Sequence, residues 1–167
     1  MHRFRTILAV FAIVALAAVA SGAPASARTK ADGDIVATAV SAGQFTTLAK
    51  LLKRAGLVSA LQQPGPYTVF APTDAAFKNV PKKTLGALLR NKAKLKAVLL
   101  YHVVSGKVTA ADVAGLTSAK TLNGKSVRIR VSGSNVFVNR AKVTTADVMA
   151  TNGVIHVVNR VLIPPAR

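Results

Sequence analysis

The chain has 167 residues, with 23 lysines and arginines against 5 aspartates, and it contains no glutamate and no cysteine. The formal charge of +18 at pH 7 attracts polyanions over long distances. The lack of cysteine excludes disulfide bonds and a lipid anchor on cysteine, so the fold must be held by its hydrophobic core.

The first residues predict an export signal. Arg3 and Arg5 precede an apolar run from Ile7 to Ala20, and small residues continue to Ala27. This order is typical of a secretory signal peptide, here residues 1–27, removed after Ala27. A membrane-spanning helix is the alternative, but it needs about 20 apolar residues and this run is shorter. We expect a secreted product, extracellular or periplasmic, without a transmembrane anchor.

The rest of the chain is expected to form a single monomeric domain. Residues 28–33 are small and polar and predict a flexible N-terminus, residues 34–164 carry the patterns of a folded domain, and residues 165–167 form a tail. Without Arg3 and Arg5 the chain keeps 21 basic residues against 5 aspartates, a formal charge of +16. Outside the cytoplasm such a charge favours acidic polysaccharide or anionic lipid over nucleic acid. A merely solvated surface is the alternative interpretation.

The first half of the domain has helical periodicity. Asp34 is placed to cap one helix, Gly56 to stop a second, and His102 continues the apolar face of a third. The predicted helices cover residues 34–40, 45–55 and 91–100.

Residues 67–77 change from a strand to a turn. Pro72 ends the strand because it cannot donate to a ladder. Thr73 can cap the next turn, and Asp74 lies at its N-terminal, positive end. No glycine-rich run precedes the turn, so we predict a structural corner rather than a phosphate site.

Beyond Val104 the period changes from 3.6 to 2. Residues 125–131 alternate aliphatic and polar side chains, which predicts a strand with one buried and one exposed face. The further predictions are a turn at 132–135, its hairpin partner at 136–138, and strands at 139–143 and 154–163. Helices followed by antiparallel strands indicate an α+β fold rather than a doubly wound parallel sheet.

Three blocks resemble the hallmark segments of the fasciclin, or FAS1, domain family. They are TVFAPTDAAF at 68–77, LLYHVVSGKVTAADV at 99–113 and NGVIHVVNRVLIP at 152–164. The resemblance implies a β-wedge or sandwich of mainly antiparallel strands with several helices packed on it. It also implies a secreted module for cell adhesion or extracellular-matrix interaction that is not an enzyme. The family-motif residues, for which structural roles are expected, are Thr73, Asp74, Tyr101, His102, Asn152, Gly153 and His156.

Catalytic chemistry is not predicted. The mature chain has two histidines, His102 and His156, and no H-x-x-x-H, H-E-x-x-H or carboxylate cluster accompanies them. No G-x-S-x-G elbow occurs either. We therefore expect no catalytic residue, metal site or cofactor, and we assign both imidazoles to structural hydrogen bonds. A general base or metal ligand is the alternative for them.

The candidate binding site is the exposed face of the basic strand. Arg128 and Arg130 point to the same side because they are two residues apart. Arginine forks bind sulfate, phosphate and carboxylate groups. Paired strands would extend this face with Arg140 and Lys142, and would border it with Lys120 and Lys125.

We expect the partner to be an acidic polysaccharide or an extracellular or cell-surface protein. Phe137 is nearly the only aromatic residue among these cations, so stacking on nucleic-acid bases is not expected. Two alternatives stay open. The basic residues could only discourage edge pairing, or the protein could carry a small apolar ligand between its helices and its sheet.

Overall fold

The structure is a computed structural model that describes residues 33–165. The predicted signal peptide, most of the predicted flexible N-terminus and the last two residues lie outside this range. Within it, no helix has the length and apolar character needed to cross a membrane. The helices are α1 (Ile35–Ser41), α2 (Thr46–Ala55), α3 (Val58–Leu61), α4 (Asp74–Lys78), α5 (Lys82–Arg90), α6 (Lys92–Tyr101) and α7 (Ala110–Gly115). The strands are β1 (Tyr67–Pro72), β2 (Val103–Ser105), β3 (Ser118–Lys120), β4 (Ser126–Ser132), β5 (Asn135–Val138), β6 (Ala141–Ala150) and β7 (Gly153–Val158).

The strands form one sheet in the order β2-β1-β7-β6-β5-β4-β3. Only the β1–β7 pair is parallel among the pairs of the described residues. The sheet curls until its two ends meet, where Val104 of β2 bridges Thr121 just after β3. The predicted α+β fold with mainly antiparallel strands is confirmed.

Two hydrophobic clusters lie on opposite sides of β1 and β7. Val69 of β1 and Ile155 of β7 belong to the cluster that contains Leu48 of α2 and Leu95 of α6. Neighbouring strand residues such as Phe70 point the other way, into the cluster that the curled strands β3, β4 and β5 complete. The alternation follows from the strand period of two. The helices therefore cover one side of the central strands, and the curled part of the sheet covers the other.

The three predicted helices are present, with their predicted ends. Asp34 caps α1, its carboxylate accepting from the Ala37 amide at 2.8 Å. Gly56 ends α2 in the left-handed region, at a φ of 70°, where glycine is favoured. The Asn91 side chain caps α6 by accepting from the Lys94 amide at 3.0 Å. The sequence patterns missed α3, α5 and α7.

Two of the predicted strands have wrong limits. The last strand ends at Val158 instead of reaching Ile163, since the chain bends at residues 159–160. The strand predicted at 139–143 begins at Ala141 and continues to Ala150. Register shifts after Val143 break the regular alternation of β6, which explains why its period was hard to recognise.

At residues 67–77, β1 turns directly into α4. The Thr73 hydroxyl accepts from the Ala76 amide at 3.2 Å, which caps α4. The Asp74 carboxylate reaches a second helix and accepts from the Thr46 amide at 3.3 Å and the Thr47 amide at 2.7 Å. Asp74 therefore fastens the start of α2 to the start of α4, a contact that local sequence does not reveal.

Candidate functional site

The exposed face of the curled sheet carries a row of basic and aromatic side chains. Arg130 of β4 lies opposite Phe137 of β5, and Phe137 lies opposite Lys142 of β6. The Arg130 guanidinium carbon is 5.7 Å from the centre of the Phe137 ring, within the range of a cation–π contact. Arg128 stands two residues from Arg130 on the same strand and is also exposed. The strand periodicity thus identified this face.

The other predicted members of the face are arranged differently. Lys120 borders it as expected, because it is paired with Ser126 on the neighbouring strand. Arg140 does not extend the row, since it lies in the turn between β5 and β6 and not in a strand. Lys125 precedes β4, and its ammonium donates to the Pro165 carbonyl at 2.6 Å.

Arg140 instead helps to line a groove where β4, the β5–β6 turn and the C-terminal segment meet. We call it the arginine groove, because its basic residues are Arg128, Arg140 and Arg160. It is open to solvent, has a volume of about 600 Å³, and its walls include Val161 and Ile163. Sequence reasoning missed Arg160 because the predicted last strand, residues 154–163, included it.

A repeated tripeptide, Val-Asn-Arg, positions two of these arginines. It occurs at residues 138–140 and at residues 158–160. The Asn139 side chain accepts from the Arg128 amide at 2.9 Å, and the Asn139 amide donates to the Arg128 carbonyl at 2.7 Å. Asn159 makes the same two bonds to Lys142, at 2.9 and 3.1 Å. Each asparagine therefore forms two hydrogen bonds with the backbone of a basic residue on a neighbouring strand. An arginine follows each asparagine directly in the sequence.

Tyr101 supports the first of these turns from the core. It is 2% exposed, and its hydroxyl donates to the Ser126 carbonyl at 3.2 Å. The same oxygen accepts from the Asn139 side-chain amide at 3.1 Å. Asn139 has a φ of 55°, a conformation that asparagine tolerates better than most residues. This network holds the turn that carries Arg140 beside β4.

The acidic residues do not neutralise this site. None of the four described aspartates lines the arginine groove. Asp74 and Asp112 are occupied at helix starts, where hydrogen bonds from Thr47 and Thr109 respectively lower their pKa below the usual 3.8. Asp34 caps α1, and Asp147 accepts from the Ala110 amide at 2.8 Å. The positive charge of the groove is therefore available to an external anion.

Both described histidines are buried and fully hydrogen-bonded. His102 is 2% exposed; its Nε2 accepts from the Leu162 amide at 2.9 Å, so its Nδ1 carries the proton and donates to the Val98 carbonyl at 2.8 Å. Burial lowers the pKa of His102 to about 4. The ring therefore ties α6 to the C-terminal segment in its neutral form, which is the structural role expected for it.

His156 is bonded in the same manner. It is 1% exposed and stacks on Phe70 with ring centres 5.6 Å apart. The Asp147 amide donates to its Nδ1 at 3.4 Å, and its Nε2 donates to the Val108 carbonyl at 2.7 Å. Since backbone groups occupy both nitrogens of each ring, neither imidazole is free to bind a metal or take a substrate proton. Residues 33–165 hold no group of three or more metal-ligand side chains.

One small gap lies between the helices and the sheet in residues 33–165. The gap lined by Val36, Leu52, Val69 and Ile155 has a volume of about 10 Å³. That is about the minimum needed for one water molecule. Packing on this side therefore gives no support to the alternative of a carrier for a small apolar ligand.

Comparison with known proteins identifies the family. The family model described as "Fasciclin domain" matches residues 43–164. The chain belongs to the fasciclin domain family. Among relatives, protein sll1483 of Synechocystis sp. is 47% identical over 133 residues, which cover 78% of this chain and 73% of that protein.

Animal relatives are longer proteins. The transforming growth factor-beta-induced protein ig-h3 of Sus scrofa is 40% identical over 123 residues, but the match covers 74% of this chain and only 18% of ig-h3. The solved FAS1 domain pair of the insect cell adhesion molecule fasciclin I has a TM-score of 0.59 at 21% identity, covering 73% of this chain and 46% of that chain. At that identity the likeness concerns the fold.

Within this fasciclin domain, Asn152 and Gly153 join distant segments. The Asn152 side chain accepts from the Ile35 amide at 3.0 Å and donates to the Leu61 and Gln63 carbonyls at 2.7 and 3.1 Å. A Cβ on Gly153 would overlap the Tyr67 carbonyl, so only glycine fits where β7 pairs with β1. These two residues hold the fold and lie away from the arginine groove.

Proposed function

We propose that this fasciclin domain is an extracellular adhesion module that binds acidic polysaccharide through the arginine groove and the adjoining basic face. The observation that carries the proposal is the convergence of Arg128, Arg140 and Arg160 on one open groove without an aspartate. The arginine fork can donate to two oxygens of one sulfate or carboxylate group at once. Several such groups along a polymer can be bound at once.

The row beside the groove is suited to the same ligand. Arg130 and Lys142 lie on either side of Phe137, which offers an apolar contact for a sugar ring between two cations. Membership in a family that includes the insect cell adhesion molecule fasciclin I supports an adhesive role. The predicted export signal supports contact with envelope or matrix glycans. The proposed activity is binding, without turnover.

The test is retention on immobilised acidic polysaccharides. We expect the purified protein to bind heparin, which is sulfated, and polygalacturonate, which carries carboxylates, at low salt and to elute as salt rises. It should pass through neutral dextran. Changing Arg128, Arg130, Arg140 and Arg160 to glutamine should lower the eluting salt concentration strongly. Asn139→Ala should lower it partly, because the turn loses the hydrogen bond from the Arg128 amide to the Asn139 side chain.

A matched control separates this face from net charge. Changing four exposed lysines of the helices, Lys82, Lys83, Lys92 and Lys94, to glutamine removes the same total charge from other elements. We expect that variant to elute nearly as the unchanged protein does. Equal loss of binding in both variants would reject the groove as the site, and retention that does not respond to salt would reject the electrostatic mode.

A further inference from the structure

A second basic surface lies on the helical side of the domain. Helices α2, α5 and α6 contribute exposed lysines, and none of the three contains an acidic residue. Arg54 of α2 donates to the Leu89 carbonyl of α5 at 3.1 Å, which joins two of the helices. We call the exposed lysines of this side the lysine surface: Lys50, Lys53, Lys82, Lys83, Lys92, Lys94 and Lys96.

The lysine surface and the arginine groove lie on opposite sides of the domain. The helices pack on the face of β1 and β7 that carries Val69 and Ile155. The curled strands that carry Arg128 and Arg130 pack on the opposite face, against Phe70. The central strands separate the two layers, although the last residue of α6, Tyr101, reaches the wall of the arginine groove.

Four of these lysines are placed against local helix stability. Lys82 and Lys83 lie in the first turn of α5, and Lys92 and Lys94 lie in the first turn of α6; neither turn has an acidic residue. The N-terminal end of a helix carries partial positive charge, so lysine there is unfavourable. Solubility alone would be served as well by lysines in the last turns, where the dipole favours them.

The chemistry of the lysine surface fits a planar array of anionic headgroups. Lysine is a hydrated point charge on a flexible stem, suited to many separate phosphates rather than to one planar anion. The exposed large hydrophobic residues of the described chain (Val40, Leu116, Leu122, Val131, Met149 and Ile163) all lie outside the three helices. Contact would therefore stay at headgroup level and would be reversed by salt.

We propose that the lysine surface docks the domain on a lipid bilayer that carries anionic headgroups. Docked in this way, the domain presents its arginine groove away from the membrane. It would then link the bilayer to an acidic polymer, with each partner on its own side. This inference extends the proposed polysaccharide binding and does not depend on it.

The test is co-sedimentation with lipid vesicles. Vesicles of phosphatidylcholine mixed with phosphatidylglycerol should bind the unchanged protein at low salt, and vesicles of phosphatidylcholine alone should not. Each basic residue near an anionic bilayer contributes roughly a fivefold factor to binding. Changing Lys82, Lys83, Lys92 and Lys94 to glutamine should therefore weaken partition by roughly 600-fold, while the melting temperature stays the same or rises.

The matched control is the variant with Arg128, Arg130, Arg140 and Arg160 changed to glutamine. It loses the same charge but should keep most of its vesicle binding. Vesicle binding by the lysine variant at the unchanged level would overturn the inference, as would equal losses in the two variants. Loss of heparin binding by the lysine variant without loss of vesicle binding would assign the surface to a polymer and also overturn it. Retention on heparin is measured separately, so failure of the proposed polysaccharide site is distinguishable.

Discussion

Acidification should destabilise this domain through His102. The neutral ring receives a hydrogen bond from the Leu162 amide at 2.9 Å. Protonation would place an N–H against that N–H donor in a buried site. Burial accordingly lowers the pKa of His102 from 6.5 to about 4 in the folded protein, whereas the unfolded chain keeps the ordinary value.

The size of the effect follows from these two pKa values. Above pH 6.5 His102 is neutral in both states, and its contribution to stability is fully present. As the pH falls towards 4, His102 becomes protonated in the unfolded chain but stays largely neutral in the folded protein. The free energy of unfolding should fall by about 2 kcal/mol by pH 5 and by about 3 kcal/mol by pH 4. The pKa values of Asp74 and Asp112 are lowered below 3.8, so these groups lose their contributions at still lower pH.

Urea unfolding followed by circular dichroism at pH 7.5 and pH 5 measures this loss. His102→Gln is the matched control because glutamine also offers one donor and one acceptor but does not titrate. The variant should be less stable at pH 7.5 and should lose less stability than the unchanged protein between the two pH values. A loss below about 1 kcal/mol in the unchanged protein would refute the reasoning, and so would an equal slope in the glutamine variant.

Two further predictions concern stability and can be checked by urea unfolding. Gly153→Ala should cost about 3 kcal/mol or more, because the new methyl group overlaps the Tyr67 carbonyl; Gly86→Ala, inside α5 with open space around it, should instead stabilise by roughly 0.5–1 kcal/mol. Similar effects of the two alanines would contradict this account. Asn152→Ala should cost about 2–4 kcal/mol, since it removes three hydrogen bonds that join separate segments. A cost below about 1 kcal/mol would mean that water replaces them.

Much of the exposed basic face could be predicted from the sequence. Arg128 and Arg130 are two residues apart on a strand, and that spacing alone places them on one side. The cross-strand neighbours Phe137 and Lys142 follow from the hairpin that joins β4 to β5 and the turn that joins β5 to β6. Arg140 was harder, because one residue of shift moves a side chain from a strand into a turn. Arg160 was missed because apolar residues continue beyond it, although the chain leaves the sheet at residue 159.

The sequence by itself determined the limits of α1, α2 and α6, the turn at Thr73 and Asp74, the exposed face of β4 and the excess of positive charge. These features depend on residues that are neighbours along the chain, so periodicity and capping reveal them. Only the tertiary structure decided that Arg128, Arg140 and Arg160 share a groove and that the lysine surface lies on the opposite side. Both arrangements depend on the order in which the strands pair and on hydrogen bonds such as that from the Arg128 amide to Asn139, 11 residues away. Long-range packing determines both arrangements, so no local sequence pattern predicts them.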